Sequence, residues 1–212
     1  MPTRKPPSPA AVVRAHPWLS ALVVTLAVAI VMVSLLGGWA RSTPEGPARV
    51  AVGSEIEATP FRLRLDEAAA RYVVDGNDAE PGQAFVVVDA QIELATKTSA
   101  TTTTLTDAIT ADLTDAYTVY GTPTDVPEAD VTVRADGSTL LGLGPGLSYD
   151  VHLTFIVDEG SVPEQMTVTL LEHTRRPSAL DGALGWFDAA PVARVTLDVA
   201  PLPATRPEPE GF

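Results

Sequence analysis

The fold is decided by the stretch QAFVVVDAQIEL, residues 83–94. Its second half alternates apolar and polar side chains, which is the period of a β-strand with one face on a core. Its first half is apolar on both faces, because Phe85 and Val87 stand between the other apolar residues. A strand covered on both faces is expected in the interior of its sheet. The stretch therefore predicts a central strand.

Four further segments alternate in the same way. They are residues 61–65, 150–157, 165–170 and 193–199, with weaker candidates at 50–57, 104–113 and 131–141. Gly and Pro clusters separate these segments, and only residues 66–72 are compatible with a helical turn. Short strands with turns between them and no alternating helices are typical of all-β proteins. We therefore predict an Ig-like antiparallel β-sandwich of about 7–9 strands over residues 50–200.

Residues 18–36, WLSALVVTLAVAIVMVSLL, contain no charged side chain. At about 1.5 Å per residue, a helix of this length covers roughly the 30 Å hydrocarbon core of a bilayer. Basic residues precede it at Arg4, Lys5 and Arg14, which favours a cytoplasmic tail over residues 1–17 and an extracytoplasmic C-terminal part. The alternative is a cleaved signal peptide, since Gly38 and Ala40 are small residues of the kind found before a cleavage site. We predict a single-pass signal-anchor helix in the cell membrane.

Charge limits the possible partners of the exported part. Residues 1–40 hold 3 of the 14 basic residues and none of the 27 acidic ones, so the remainder has a net charge of 11 − 27 = −16. This charge disfavours nucleic acid and anionic lipid surfaces as partners. The chain has no cysteine, so its core must stabilise the domain without disulfides. Residues 37–49 are predicted to form a linker, and the proline-rich residues 201–212 a disordered tail.

Three segments resemble a bacterial family. They are GQAFVVVDAQIEL at residues 82–94, the turn LGPG at residues 143–146, and LTFIV at residues 153–157. In this order they are similar to the membrane-anchored Ig-like exported domains of the DUF4352 kind, over residues 50–173. The low lysine and asparagine content is similar to that of high-GC actinobacterial proteins. The resemblance implies an extracytoplasmic module held at the membrane, and it implies no specific chemistry.

Residues that could support catalysis or metal binding are few. The exported part has two histidines, of which His152 falls on the polar face of its strand, as a surface residue paired with a carboxylate would. His173 ends its strand, and neither histidine has a spacing typical of a nucleophile–base pair or a transition-metal site. The segment DGNDAE, residues 75–80, offers oxygens for calcium, but it departs from the EF-hand pattern and favours a turn between strands. We predict no enzymatic activity, no cofactor and no metal site.

One late segment departs from the strand pattern. Residues 175–191, RRPSALDGALGWFDAAP, are predicted to form a long connection. Trp186 and Phe187 either cap the open end of the sandwich or, with Arg175 and Arg176, contact a partner, since binding hot spots favour Trp and Arg. We therefore expect a binding or accessory module that acts on another cell-envelope protein or transporter complex. The alternatives are a sensor of a small ligand or calcium, and an enzyme of the envelope.

Overall fold

The computed structural model describes Trp18, residues 21–22, 24–28, 32 and 46–207. The chain forms two compact units, Met1–Pro44 and Glu45–Phe212. The described residues of the first unit are helical, and the hydroxyl of Thr25 donates a hydrogen bond of 2.9 Å to the carbonyl of Ala21, one turn back.

The predicted membrane span falls mostly outside the described residues. Of residues 18–36 the structure describes nine, and the predicted cytoplasmic tail 1–17 is not among the described residues. Within the part of the chain that is described, no helix is long and apolar enough to cross a membrane. The span therefore stays a prediction.

The second unit consists almost entirely of β-strands. Between residues 46 and 207 there are fifteen strands, one short α-helix and one 3-10 helix, and six of the strands are only two residues long. They are β1 Ala48–Val50, β2 Glu55–Ala58, β3 Phe61–Arg71, β4 Val73–Val74, β5 Asn77–Asp78, β6 Gln83–Leu94, β7 Ala100–Thr101, α1 Thr102–Thr106, β8 Ile109–Ala111, β9 Ala116–Tyr117, β10 Pro123–Thr124, β11 Asp130–Val133, β12 Gly142–Leu143, β13 Ser148–Asp158, the 3-10 helix Glu159–Ser161, β14 Gln165–Pro177 and β15 Leu184–Ala200. The all-β prediction is confirmed, and the short strands raise the count above the expected number.

The longer strands form two sheets joined through β15. The front sheet has the order β10-β9-β13-β6-β3, with β2 beside β3 and β11 beside β13. The back sheet has the order β1-β15-β14-β8. The end of β15 links them, because Val199 pairs in parallel with Ala68 of β3. Most neighbouring strands are antiparallel as predicted, but β1 also runs parallel to β15.

One hydrophobic core is built from strands of both sheets, which confirms the predicted β-sandwich. Alternate residues of β3, β6, β13, β14 and β15 point into it, as the period of two predicts. Its largest fully buried side chains are Phe61, Phe155, Leu63, Leu65, Ile92, Leu94, Leu105, Leu143, Leu153, Met166, Leu170 and Leu197. The core therefore lies within the second unit.

Strand β6 is central, as its sequence predicts, with β3 along one edge and β13 along the other. Its outward-facing Phe85 and Val87 pack in a second, smaller cluster with Val74 and Ala79. These two partners come from the short β4–β5 hairpin and the residue after it. The hairpin covers the outer face of the front sheet, which explains why the first half of β6 is apolar on both faces.

Two local predictions are wrong. Residues 66–72 form no helical turn, because β3 continues to Arg71 after a bulge between Leu65 and Glu67. Ala68 and Ala70 are buried against β6, so packing outweighs the helix propensity of this alanine-rich run. Residues 104–113 are not one strand, since they contain the end of helix α1 before β8.

The proline-rich segment 201–207 has no helix or strand, but it contacts the domain. The guanidinium of Arg206 lies 4.9 Å from the centre of the Tyr72 ring and donates a hydrogen bond of 2.9 Å to the carbonyl of Glu80. This part of the predicted disordered tail thus has a defined partner, and residues 208–212 lie outside the described residues.

Candidate functional site

Strands β14 and β15 continue past the sandwich as a two-stranded ribbon, residues 174–191, which we call the β-arm. His173 and Ala193 are buried at its base, and no residue between them is buried. The strands pair from Thr174 with Phe187 to Pro177 with Leu184. The prediction that residues 175–191 form a long connection outside the strand pattern is therefore wrong. No core lies beneath the ribbon to impose an alternating pattern on its sequence.

The tip of the β-arm presents apolar side chains. The N–H of Ser178 donates to the carbonyl of Ala183 at 2.8 Å, and that of Gly182 donates to Ser178 at 3.0 Å, which closes the turn. Leu180 is 99% exposed and Leu184 is 62% exposed. The turn therefore holds two leucines in solvent at the end of the ribbon.

The four predicted contact residues lie on two faces of the β-arm. Arg175 pairs directly with Trp186 across the ribbon, so their side chains share one face. Arg176 and Phe187 share the other, where the guanidinium lies 4.8 Å from the centre of the ring. Trp186 and Phe187 are half-buried, and both arginines are exposed. The ribbon brings the four residues together in two pairs.

Arg176 also holds a carboxylate. Its Nε and Nη2 donate to the two oxygens of Asp188 at 2.5 and 2.9 Å. The hydrogen bond from Arg176 lowers the pKa of Asp188 below its usual value. The ring of Phe187 lies over Gly185, where a Cβ atom would come within 2.7 Å of it. These contacts order one face of the ribbon.

A second polar arrangement lies on the outer face of the front sheet. Nδ1 of His152 is 3.2 Å from Oδ2 of Asp75, and its Nε2 is 3.4 Å from Oδ1 of Asp89. Arg134 completes the group, with Nη2 3.2 Å from Oδ2 of Asp89. His152 is paired with carboxylates as predicted, but it is buried and not a surface residue. The hairpin turn at Asp75 covers a face that the strand pattern alone marks as exposed.

Asp75 is held in place from several sides. It forms the turn of the β4–β5 hairpin with Gly76, both with positive φ (51° and 79°), which confirms the predicted turn. The hydroxyl of Thr132 donates to its Oδ2 at 2.5 Å. Burial favours a higher pKa for Asp75, but the hydrogen bonds from Thr132 and His152 outweigh it and bring the pKa below its usual value. The carboxylate is therefore ionised at neutral pH.

Asp75 of this group lines an open cavity beside the hairpin. A second open cavity shares Val119 and Asp130 with the first, and we call the two cavities together the acidic trough. The cavity beside the hairpin has a volume of about 380 Å³, and its neighbour one of about 510 Å³. The acidic residues of the trough are Asp75, Asp107, Glu128 and Asp130. Among the described residues, no lysine, arginine or histidine lines either cavity. The trough therefore presents one sign of charge.

His173 does not end its strand as predicted, because β14 continues to Pro177. Its backbone N–H donates to the carbonyl of Thr59 at 2.6 Å, and its buried Nδ1 has no partner among the described residues. In the described part of the chain, no group of three or more His, Cys, Asp or Glu residues could hold a metal ion.

Sequence reasoning missed the polar group around His152 and the trough beside it. The signals of the group were the Asp75-Gly76 turn and the polar His152, but Asp75 and His152 are 77 positions apart in the chain. Nothing in either local pattern shows that the hairpin folds over that strand.

Comparisons with known proteins give likeness of fold only. No family model matches the chain, and no curated protein matches it. An uncharacterised β-sandwich protein from Clostridium difficile 630 is similar, with 13% identity, a TM-score of 0.47, and coverage of 74% of this chain and 97% of that one. A candidate lipoprotein from Staphylococcus aureus NCTC 8325 is similar, with 6% identity, a TM-score of 0.42, and coverage of 73% and 97%.

Proposed function

We propose that this protein is a single-pass, membrane-tethered extracytoplasmic Ig-like module that binds another cell-envelope protein, as an accessory component of a transporter or similar complex. The observation that carries the proposal is the β-arm, a ribbon without buried residues that ends in exposed leucines. We expect no enzymatic activity.

The composition of the β-arm supports a contact role. Leu180 and Leu184 offer apolar area at the tip, and Trp186 and Arg175 offer the residue types that dominate binding energy in interfaces. Arg176, Phe187 and Asp188 are already ordered by their mutual contacts, so less side-chain entropy is lost when a partner binds. A ribbon of this kind suits insertion into a concave surface.

The position of the predicted tether supports a partner at the membrane. Strand β1 runs parallel to β15, with Ala48 opposite Ala193. Ala193 is the first buried residue after the β-arm, so the chain that precedes β1 reaches the domain at the base of the β-arm. The predicted linker over residues 37–49 spans at most about 3.5 Å per residue, which keeps the domain near the bilayer. A membrane protein or its extracytoplasmic part is then within reach.

Site-specific photo-crosslinking tests this proposal. A photoreactive side chain at Leu180 of the full-length protein, irradiated in native membranes, is expected to yield a discrete protein adduct. The same probe at Val52, an exposed apolar residue in the turn before β2, is the control and is expected to yield none. If Leu180 is a hot spot, L180D reduces recovery of the partner about 30-fold or more. Absence of an adduct at Leu180, or equal adducts at both positions, contradicts the proposal.

A further inference from the structure

We propose that His152 is a pH-dependent latch: its protonated ring holds the turn of the β4–β5 hairpin on the outer face of the front sheet, and loss of the ring proton releases that turn. The latch consists of His152 and the two carboxylates that it faces, Asp75 and Asp89. None of the three belongs to the β-arm, so the proposal is independent of the contact function proposed above.

Both ring nitrogens of His152 face carboxylate oxygens. Nδ1 is 3.2 Å from Oδ2 of Asp75, and Nε2 is 3.4 Å from Oδ1 of Asp89. A neutral imidazole carries one N–H, so in either tautomer the second nitrogen would direct its lone pair at a carboxylate. Only the protonated ring has an N–H for each carboxylate. The geometry therefore favours the imidazolium form of His152.

The burial of these side chains makes the ring proton important. The exposed fraction of the side chain is 11% for His152 and for Asp75, and 4% for Asp89. Oδ1 of Asp89 is buried and accepts no hydrogen bond within the described part of the chain, so Nε2 of His152 is the donor placed to serve it. An uncompensated charge is costly in such a place, because water screens it poorly. A neutral His152 would leave Asp89 without this compensation.

Arg134 completes a balanced set of charges. Its Nη2 lies 3.2 Å from Oδ2 of Asp89, so two carboxylates face two cations while His152 is protonated. When the ring is neutral, the same set has one negative charge in excess. Further charged groups come from the strands and the hairpin around the latch, and they are Glu67, Arg71, Asp78, Asp130 and Asp150. Four of these five are exposed carboxylates, which also favour a positive ring.

The latch acts on the hairpin through its turn. Asp75 forms that turn, so its pairing with His152 fixes the turn against β13. Asp75 is ionised at neutral pH because its pKa lies below the usual value. The charge of a histidine, in contrast, changes in general between about pH 5 and 8. The ring is therefore the member whose protonation opens or closes the latch, and opening uncovers Phe85, on which the hairpin packs.

The protonation of His152 is measured directly by the ¹⁵N chemical shifts of its ring. The sample is the full-length protein with ¹⁵N-labelled histidine, held in lipid nanodiscs. We expect two protonated ring nitrogens at about pH 5 and a neutral ring at about pH 9. His152→Gln assigns the signals by removing them. A ring that is neutral at the lower pH, or that has the same protonation at both, overturns the proposal.

Hydrogen exchange detected by mass spectrometry follows the hairpin itself in the same protein. Ala79 donates its backbone N–H to the carbonyl of Tyr72 at 2.8 Å, so closure of the hairpin protects this amide. Protection factors over residues 73–79, corrected for the intrinsic effect of pH on exchange, are expected to fall about tenfold from about pH 5 to about pH 9. Residues 166–170 of β14 in the back sheet are the internal control and are expected to keep their protection factors.

Two matched variants assign the effect to one histidine. In His152→Gln the hairpin is expected to exchange at both pH values as the wild type does at the higher one, because no ring titrates there. His173→Gln is the control, since His173 is also buried but its backbone bonds Thr59 and not the hairpin, and it is expected to keep the pH dependence of the wild type. The proposal is overturned if wild-type residues 73–79 are equally protected at both pH values, if residues 166–170 lose protection by the same factor, or if His152→Gln retains the pH dependence.

Discussion

Gly137→Ala is expected to destabilise the domain for two reasons, backbone strain and a steric contact with Asp75. Gly137 has a φ of +68°, which costs an L-residue about 1–2 kcal/mol. A Cβ at this position would lie 2.9 Å from Cβ of Asp75, and such overpacking costs about 1–3 kcal/mol. Lower entropy of the unfolded chain offsets about 0.4–1 kcal/mol. The net loss of unfolding free energy is then about 1–5 kcal/mol.

Gly146→Ala is the matched control, because Gly146 has the same φ of +68° and a Cβ added there would meet nothing within 4 Å. Urea denaturation of the unit that begins at Glu45, followed by far-ultraviolet circular dichroism, measures both variants. The difference between them isolates the contact with Asp75 and is expected to be about 1–3 kcal/mol. Equal losses in the two variants would refute the close approach of this turn to Asp75. In a D75G background the excess cost of Gly137→Ala should disappear, because the opposing Cβ is absent.

Two further predictions concern charge and packing. The pKa of Asp75 in the folded protein is below the usual 3.8, so its contribution to stability is present above that pH and is lost as the pH falls through the folded pKa. The difference in unfolding free energy between the wild type and D75N should therefore shrink in that acid range. Acid titrations of both proteins measure this difference. Phe155→Ala should lower the unfolding free energy by about 3–5 kcal/mol, because Phe155 is fully buried in the core. Phe187→Ala on the β-arm should lower it by about 1 kcal/mol or less, because its ring contacts mainly Arg176. Comparable losses in urea denaturation of the two variants would contradict the placement of Phe187 outside the core.

The sandwich could be predicted because its strands are amphipathic. Residues 83–94 have the inward period of two and the doubly apolar start that mark a central strand, and both features have partners in the structure. The run at Ala68 and Ala70 is misleading because alanine has high helix propensity and little β propensity. Pairing with β6 makes this run a strand, because Val88 and Val86 of β6 lie opposite Ala68 and Ala70. A neighbour's register is not visible in the local sequence.

The β-arm could not be predicted for a different reason. A strand is recognised in sequence by the difference between a buried and an exposed face, and neither face of this ribbon is buried. The aromatic and basic residues at 175, 176, 186 and 187 are contact candidates by their type alone. Their division between two faces follows from the pairing of Arg175 with Trp186, which only the fold provides.

The acidic trough shows why outward-facing polar residues are hard to interpret. The polarity of His152 indicates that its face of β13 does not pack in the main core, and this is correct. It does not show that the face is exposed to water, and His152 is in fact buried. Asp75, which lies 77 positions before His152 in the chain, covers this face. Thr132, which lies 57 positions after Asp75, donates a hydrogen bond to the same carboxylate. Each of the three residues alone fits an ordinary surface strand or turn. Their meeting requires the hairpin to pack on Phe85 and Val87, so the same apolar pair that marks β6 as central also positions the hairpin that forms one wall of the trough.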